Sequence, residues 1–190
     1  MRGRLFIISA PSGAGKTSLV EAAIPLVGVQ HPIVQVVTYT TKKPRSTDPK
    51  MRDFHFIDTT EFERLIQEGF FLEWSDAYGA YYGTPRSVID GMHAGRSFFL
   101  VIDRVGTEQV IKLVPNAVLI WITVANAQVL QERLTVRGTE TSAQIEHRLK
   151  RAKIEIDLEA KNRLYDYHIV NDVFAAALDE LVSIITDKLA

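Results

Sequence analysis

Along this chain, short apolar runs alternate with longer stretches whose apolar residues recur every three or four positions. The runs Leu5–Ser9, Ile33–Val37, Phe98–Ile102, Val118–Val124 and Tyr167–Val170 are rich in β-branched and aromatic residues and read as strands. Helical spacing covers Lys16–Ile24, Glu61–Glu68, Arg86–His93, Thr107–Leu113, Ala127–Arg137, Ser142–Glu159 and Phe174–Leu189. In the last of these, Phe174, Ala177, Leu178, Leu181, Ile184 and Ile185 mark one apolar stripe. Strands that are apolar on both faces and separated by helices predict an α/β fold with a parallel sheet covered on both sides.

One segment breaks the alternation. Between Thr38 and Thr84 the strand-like pieces Phe54–Ile57 and Phe70–Trp74 flank one helix, with Pro44, Asp48 and Pro49 as turn residues. The pattern predicts a single domain. Its core is expected at about 1–37, 85–125 and 160–190, a small α+β insert at about 38–84, and a helical lid at about 126–159 with a polar tip at 138–142.

The first strand runs into Ala10-Pro11-Ser12-Gly13-Ala14-Gly15-Lys16-Thr17, followed by Ser18 and a helix. This is the Walker A pattern with Ala10 in place of its first glycine. Gly13 and Gly15 allow successive backbone N–H groups to turn inward as an anion nest, and the helix N-terminus points at the same place. Lys16 then reaches the β and γ phosphates of a nucleoside triphosphate, and the Thr17 hydroxyl is a ligand for Mg²⁺. GTPases read guanine with Asn-Lys-x-Asp, which is missing here. A small P-loop protein with an insert and a basic lid suits phosphoryl transfer to a second small molecule, a reaction that requires closure against water.

Composition narrows this further. The 190 residues are 46% hydrophobic and 24% charged, enough to bury a core, and no cysteine is available for disulfides, thiol catalysis or zinc. The apolar run after Arg2 and Arg4 spans only Leu5–Ile8, too short for a signal peptide, and none approaches the roughly 20 residues of a membrane span. A cytoplasmic protein is expected. The net charge of −1 argues against bulk binding to nucleic acid or membrane. It also conceals two basic segments. Residues 42–52 carry Lys42, Lys43, Arg45, Lys50 and Arg52 against Asp48, and residues 133–153 carry Arg133, Arg137, Arg148, Lys150, Arg151 and Lys153 against Glu140 and Glu146. Each nets +4, which leaves −9 for the rest.

The loop Ser9–Thr17 is followed by Thr40-Thr41-Lys42-Lys43-Pro44-Arg45, Phe71-Leu72-Glu73-Trp74, Tyr81-Tyr82-Gly83-Thr84 and Ile169-Val170-Asn171-Asp172. In order and spacing this set resembles the guanylate kinases over roughly residues 4–185. The resemblance implies a P-loop three-layer fold with an inserted nucleoside-monophosphate-binding subdomain and a lid. It implies transfer of the γ-phosphate of ATP to GMP, and to dGMP, with Mg²⁺ and no nucleic-acid or membrane partner. Ala10 to Ser18 with Asn171 and Asp172 would bind ATP. Thr38, Lys42, Arg45, Asp48, Phe54, Glu73, Tyr82, Thr84 and Asp103 would bind GMP, and Thr17 and Asp103 would bind the metal. Lys16, Arg45, Arg137 and Arg148 would be catalytic.

The chemistry agrees with these roles. A carboxylate such as Glu73 accepts from guanine N1–H and N2–H together, while hydroxyls such as Thr38 and Thr84 donate to O6. Adenine lacks N1–H and would leave the carboxylate unmatched, a mismatch that discriminates by roughly 10⁴–10⁵. Arg45 suits a bidentate phosphate contact, and Lys16, Arg137 and Arg148 suit the charge of the transferring group. Arg133, on the same basic helix face, reads as a solvated charge, and Trp74 and Trp121 read as core.

Several positions depart from the family pattern. Lys42 replaces an arginine, Phe54 a tyrosine that binds the GMP phosphate, Asp48 a glutamate and Met51 a glycine. Val101 stands where a second aspartate is common, and Val105 replaces a glutamine. The changed acceptor loop suggests a rival reading, a related kinase with another acceptor such as a ribose bisphosphate, which Glu73, Thr38 and Thr84 oppose. A non-catalytic guanylate kinase-like module that captures phosphopeptides is opposed by the intact Gly13–Thr17 cradle.

Overall fold

The computed structural model describes residues 3–29, 31–44, 53–77, 79–137 and 141–190. In chain order these form β1 (Leu5–Ser9), α1 (Lys16–Val27), β2 (Ile33–Gln35), β3 (Thr38–Thr40), β4 (Phe54–Phe56), α2 (Thr59–Gln67), β5 (Phe71–Ala77), β6 (Ala80–Pro85) and α3 (Ser87–His93). They continue as β7 (Ser97–Val101), α4 (Arg104–Leu113), β8 (Val118–Thr123), α5 (Ala127–Arg137), α6 (Ser142–Lys161), β9 (Tyr167–Val170) and α7 (Phe174–Leu189). The fold is α/β, with two compact units. One is built from the described residues of 1–5 and 32–117, the other from those of 6–31 and 118–190.

In the second unit β1, β8 and β9 pair in parallel, with Phe6 opposite Val118 and Ile120 opposite Tyr167. Every residue of β1 and the first five of β8 are buried, as expected for strands covered on both faces. Helix α7 packs on β9 and on α1 through Ala177, Leu181 and Ile185, and α5 packs on α6. Thr141 and Gln144 form a capping box that starts α6 after the polar segment. No helix among the described residues is long and apolar enough to cross a membrane.

In the first unit β2 pairs in parallel with β7, and Arg4 is tied to β7 through Phe98 N–H donating to its carbonyl at 2.9 Å. The same unit holds a four-stranded sheet of order β4-β3-β6-β5. Sequence patterning predicts two of its strands, β4 and β5, but β3 and β6 only emerge from pairing. Three-residue β3 is too short for periodicity, and β6 (Ala-Tyr-Tyr-Gly-Thr-Pro) mixes turn formers with aromatics.

The two faces of this sheet differ in chemistry. Side chains opposite each other across paired strands share a face, and successive residues alternate. Glu73 lies opposite Thr84, Ser75 opposite Tyr82, Tyr82 opposite Thr40, and Thr38 opposite Phe54. One face therefore collects a carboxylate, several hydroxyls and Phe54. The other carries Tyr39, Tyr81 and Gly83 against α2, where Phe62 stacks on Phe71 at 4.5 Å and on Tyr81 at 5.2 Å. Asp58 caps α2 by accepting from Glu61 N–H.

Gly83 is what permits that stack. A Cβ there would lie 2.7 and 2.9 Å from Phe71 ring carbons and 3.0 Å from Phe62. Gly83→Ala is expected to destabilise the protein by about 1–3 kcal/mol through overpacking. Urea unfolding checks this, and a midpoint equal to that of the parent would contradict it.

Candidate active site

Each unit carries one cluster of the residues singled out from the sequence. In the second unit, β1 hands the chain to the P-loop. Gly13 and Gly15 take φ of 90° and 87°, conformations that side-chain-bearing residues avoid. Gly15 is also the N-cap of α1, which has no side-chain cap and no acidic residue in its first turn. No carboxylate of its own first turn thus competes at this helix N-terminus, the kind of place where backbone N–H groups and the helix dipole favour anions. A Cβ at Gly13 would press on Leu134 of α5 at 3.3 Å, and one at Gly15 would collide with the Asn171 amide.

Asn171 proves to be a structural brace for this loop. It is 3% exposed, and its Nδ2 donates to the Ala14 carbonyl at 2.7 Å. Its Oδ1 is buried with no hydrogen-bond partner among the described residues. The Asn171 main-chain carbonyl in turn accepts from Arg133 Nη2 at 2.7 Å. Arg133 is therefore no mere solvated charge, because it fastens the end of β9. Asp172 accepts from Ala125 N–H through Oδ1. Arg148, on α6, donates from Nη1 to Ser12 Oγ at 3.1 Å, which brings a lid arginine onto the P-loop. Lys16 and Thr17 occupy the first turn of α1, with Ser18 beside them exposed. Arg137 closes α5, and its side chain lies outside the described residues.

In the first unit, the polar sheet face builds the other cluster around Glu73. This carboxyl is 3% exposed and accepts from Thr84 Oγ1 across the β5–β6 pair at 2.5 Å. Asp103, the N-cap of α4, accepts from Gly106 N–H through Oδ1 and from Ser75 Oγ through Oδ2 at 3.0 Å. Gly106 leaves the space that Glu73 fills, since a Cβ there would collide with Glu73 Oε2. Burial pushes the Glu73 carboxyl up to about 7, the neighbouring Asp103 adds to the rise, and the Thr84 hydrogen bond works against it.

At the far end of the same face, Lys42 Nζ lies 5.8 Å over the Phe54 ring, which meets Tyr82 edge-on at 6.3 Å. Phe54, lacking a tyrosine hydroxyl, thus supports a cation. Thr38 is half-buried on this face. Of the acceptor-side residues expected from sequence, Thr38, Lys42, Phe54, Glu73, Tyr82, Thr84 and Asp103 belong to this unit, whereas Arg45 and Asp48 lie outside the described residues. The Thr84 hydroxyl hydrogen, expected to face a ligand, is here directed at Glu73. Ser75 and Gly106 were missed. Alternation from Glu73 along a strand would have indicated Ser75, but nothing local marks Gly106. Trp74, expected in the core, is 37% exposed, because it lies on the edge strand β5, where its ring meets Tyr81 edge-on at 5.8 Å. Trp121 is buried as expected.

An acid whose folded-state pKa is raised stabilises the fold fully below its unfolded value and loses that contribution as pH rises through about 7. The difference amounts to about 3 kcal/mol for a fully ionised Glu73. Glu73→Gln is therefore expected to stabilise the protein, relative to its parent, about 2–3 kcal/mol more at pH 8 than at pH 5. Chemical denaturation at both pH values measures this, and an equal effect at the two would contradict it.

Comparison with known proteins follows the same lines. A family model described as "Guanylate kinase" matches residues 2–188. The chain is 42% identical to a guanylate kinase of Chromobacterium violaceum over 185 residues, covering 96% of this chain and 85% of that protein. It is 38% identical to one of Dechloromonas aromatica over 186 residues, 97% and 89% of the two chains. The crystal structure of guanylate kinase from Anaplasma phagocytophilum superposes with a TM-score of 0.76 at 28% identity, covering 99% of this chain and 87% of that one.

Proposed function

This chain belongs to the guanylate kinase family, and we propose that it transfers the γ-phosphate of ATP to GMP, and to dGMP, in the cytoplasm. The observation that carries the acceptor assignment is Glu73, a buried carboxyl with space cleared for it by Gly106 and a hydroxyl partner in Thr84. Guanine presents N1–H and N2–H side by side, a pair that one carboxylate accepts together. Two such hydrogen bonds favour the ionised form and offset the cost of burying it. Adenine offers a lone pair at N1 instead, which would face the carboxylate without a proton. Thr38 would supply a donor for O6.

The acceptor phosphate would be held by Lys42 and Arg45, with Tyr82 beside them and Phe54 supporting the Lys42 ammonium. On the donor side, the Gly13–Thr17 backbone and Lys16 would cradle the triphosphate, braced from beneath by Asn171 and Arg133. Arg148, already at Ser12, and Arg137 would neutralise charge on the transferring group. Thr17 offers a hard hydroxyl oxygen of the kind Mg²⁺ selects, Asp103 in the other unit carries a carboxylate of the same character, and Mg²⁺ bound with a triphosphate needs only one or two protein ligands. When bound it supplies electrostatic stabilisation of the β and γ oxygens. In the transfer, an oxygen of the GMP phosphate bonds to the γ phosphorus as the bond from that phosphorus to the β–γ bridging oxygen breaks. GDP and ADP result. The attacking oxygen is already ionised, so positioning and charge neutralisation are what the residues must provide.

A coupled assay with MgATP across GMP, dGMP, AMP, UMP and ribose 1,5-bisphosphate tests the reading. Turnover is expected with GMP and dGMP, and turnover with neither of them would refute it. Lys16→Ala is expected to lower kcat by at least about 10³-fold, the scale of losing a charge-stabilising group in the transition state. Glu73→Ala is expected to abolish the preference for GMP over AMP, read as the ratio of their kcat/KM values.

A further inference from the structure

We propose that Gln109 is a positioning residue for the guanine-reading carboxyl, acting as a one-residue substitute for a missing strand along the outer edge of β5. The inference rests on the assignment of Glu73 above. Strand β5 ends the four-stranded sheet, so alternate residues turn both backbone groups outward with no further strand to meet them. Trp74, the residue after Glu73, is one of these. Gln109, from α4, engages both its groups: Trp74 N–H donates to Gln109 Oε1 at 3.2 Å, and Gln109 Nε2 donates to the Trp74 carbonyl at 2.7 Å. A carboxamide presents its acceptor oxygen and one N–H donor on the same edge, which is why a single side chain can meet both backbone groups of one residue.

The position of this clamp gives it consequence. The β5–β6 register is irregular between Phe71 and Glu73, so regular pairing does not fix the strand just before the carboxyl. Regular pairing resumes at Glu73 with Thr84 and Trp74 with Gly83, and there Gln109 adds a second hold from the outer edge. The clamp also comes from the helix that makes the rest of the carboxyl's surroundings. Asp103 is the N-cap of α4 and bonds to Ser75, Gly106 lies in its first turn against Glu73 Oε2, and Gln109 follows nearly one turn later. If α4 and β5 moved apart by a fraction of an ångström, the carboxyl would keep its burial but lose its aim. Trp74 is 37% exposed and Gln109 half-buried, so water can replace both hydrogen bonds at little cost to folding. Aim and stability can therefore be separated experimentally.

The test measures GMP and IMP binding to the full chain by calorimetry, with ATP kinetics alongside. IMP lacks the N2 amino group and gives the carboxylate one donor instead of two, so the GMP-to-IMP affinity ratio reports how well Glu73 is aimed. In Gln109→Leu, GMP affinity is expected to fall about tenfold, the scale of a small misplacement of a binding group. The GMP-to-IMP ratio should collapse toward one, while KM for ATP and kcat at saturating GMP stay within about twofold of the parent. Gln109→Glu keeps the acceptor for Trp74 N–H and loses the donor, and it is expected to fall between; it also serves if the leucine variant does not fold. An unchanged GMP-to-IMP ratio in a folded variant overturns the proposal, as do equal losses for GMP and ATP. Glu73→Gln separates the two readings. If it loses GMP while Gln109→Leu binds normally, the clamp is refuted and the guanine assignment stands; if it binds GMP like the parent, the assignment itself falls and the clamp with it.

Discussion

A carboxyl group withdrawn from water is the constraint around which the first unit is arranged. Glu73 is 3% exposed, and a charge in that place needs donors that the sheet alone does not supply. Thr84 provides one hydroxyl, and Asp103, rather than relieving the burial, adds a like charge. The carboxyl is thus held above the usual carboxylate range, and a group bringing two adjacent donors would favour its ionised form. In the function proposed above, affinity and base selectivity have one origin: a poorly solvated acid is tolerated because the right base would relieve it.

Two faces of one small sheet make this possible. The face toward α2 is an aromatic stack that fixes the sheet's shape, and Gly83 keeps that stack close. The opposite face can then afford polar residues, because it contributes little to the hydrophobic core. Strand pairing lines up Glu73, Ser75, Thr84, Tyr82, Thr38 and Phe54, drawn from four strands between residues 38 and 84, without any of them being neighbours in sequence beyond alternation.

Much of this was legible in the sequence, and the remainder had physical reasons for being hidden. The buried strand Leu5–Ser9, the partly exposed strand Tyr167–Val170 and the helices Ala127–Arg137 and Phe174–Leu189 stand where periodicity predicts them, because the pattern of apolar positions is local to each segment. Strands β3 and β6 did not, since their partners lie dozens of residues away and their composition is mixed. The same non-locality hid Gly106, whose significance is a missing Cβ beside a residue 33 positions earlier, and Arg133, whose target is a main-chain carbonyl. Charge counting also does not distinguish the basic residues of α6: Lys150 pairs with Glu146 and Arg151 with Glu155, whereas Arg148 reaches Ser12 of the P-loop.

The brace beneath the P-loop has an implication for the order in which the molecule becomes competent. Ala14 and Asn171 are 157 residues apart, yet the Asn171 amide holds the Ala14 carbonyl and packs where a Cβ of Gly15 would lie. A glycine-rich turn after a first strand is usually regarded as a self-contained device. Here its backbone rests on a residue that the ribosome adds long after the loop itself has emerged. The loop's sequence is therefore complete long before the residue that braces it is synthesised, and its backbone gains that support only when β9 docks.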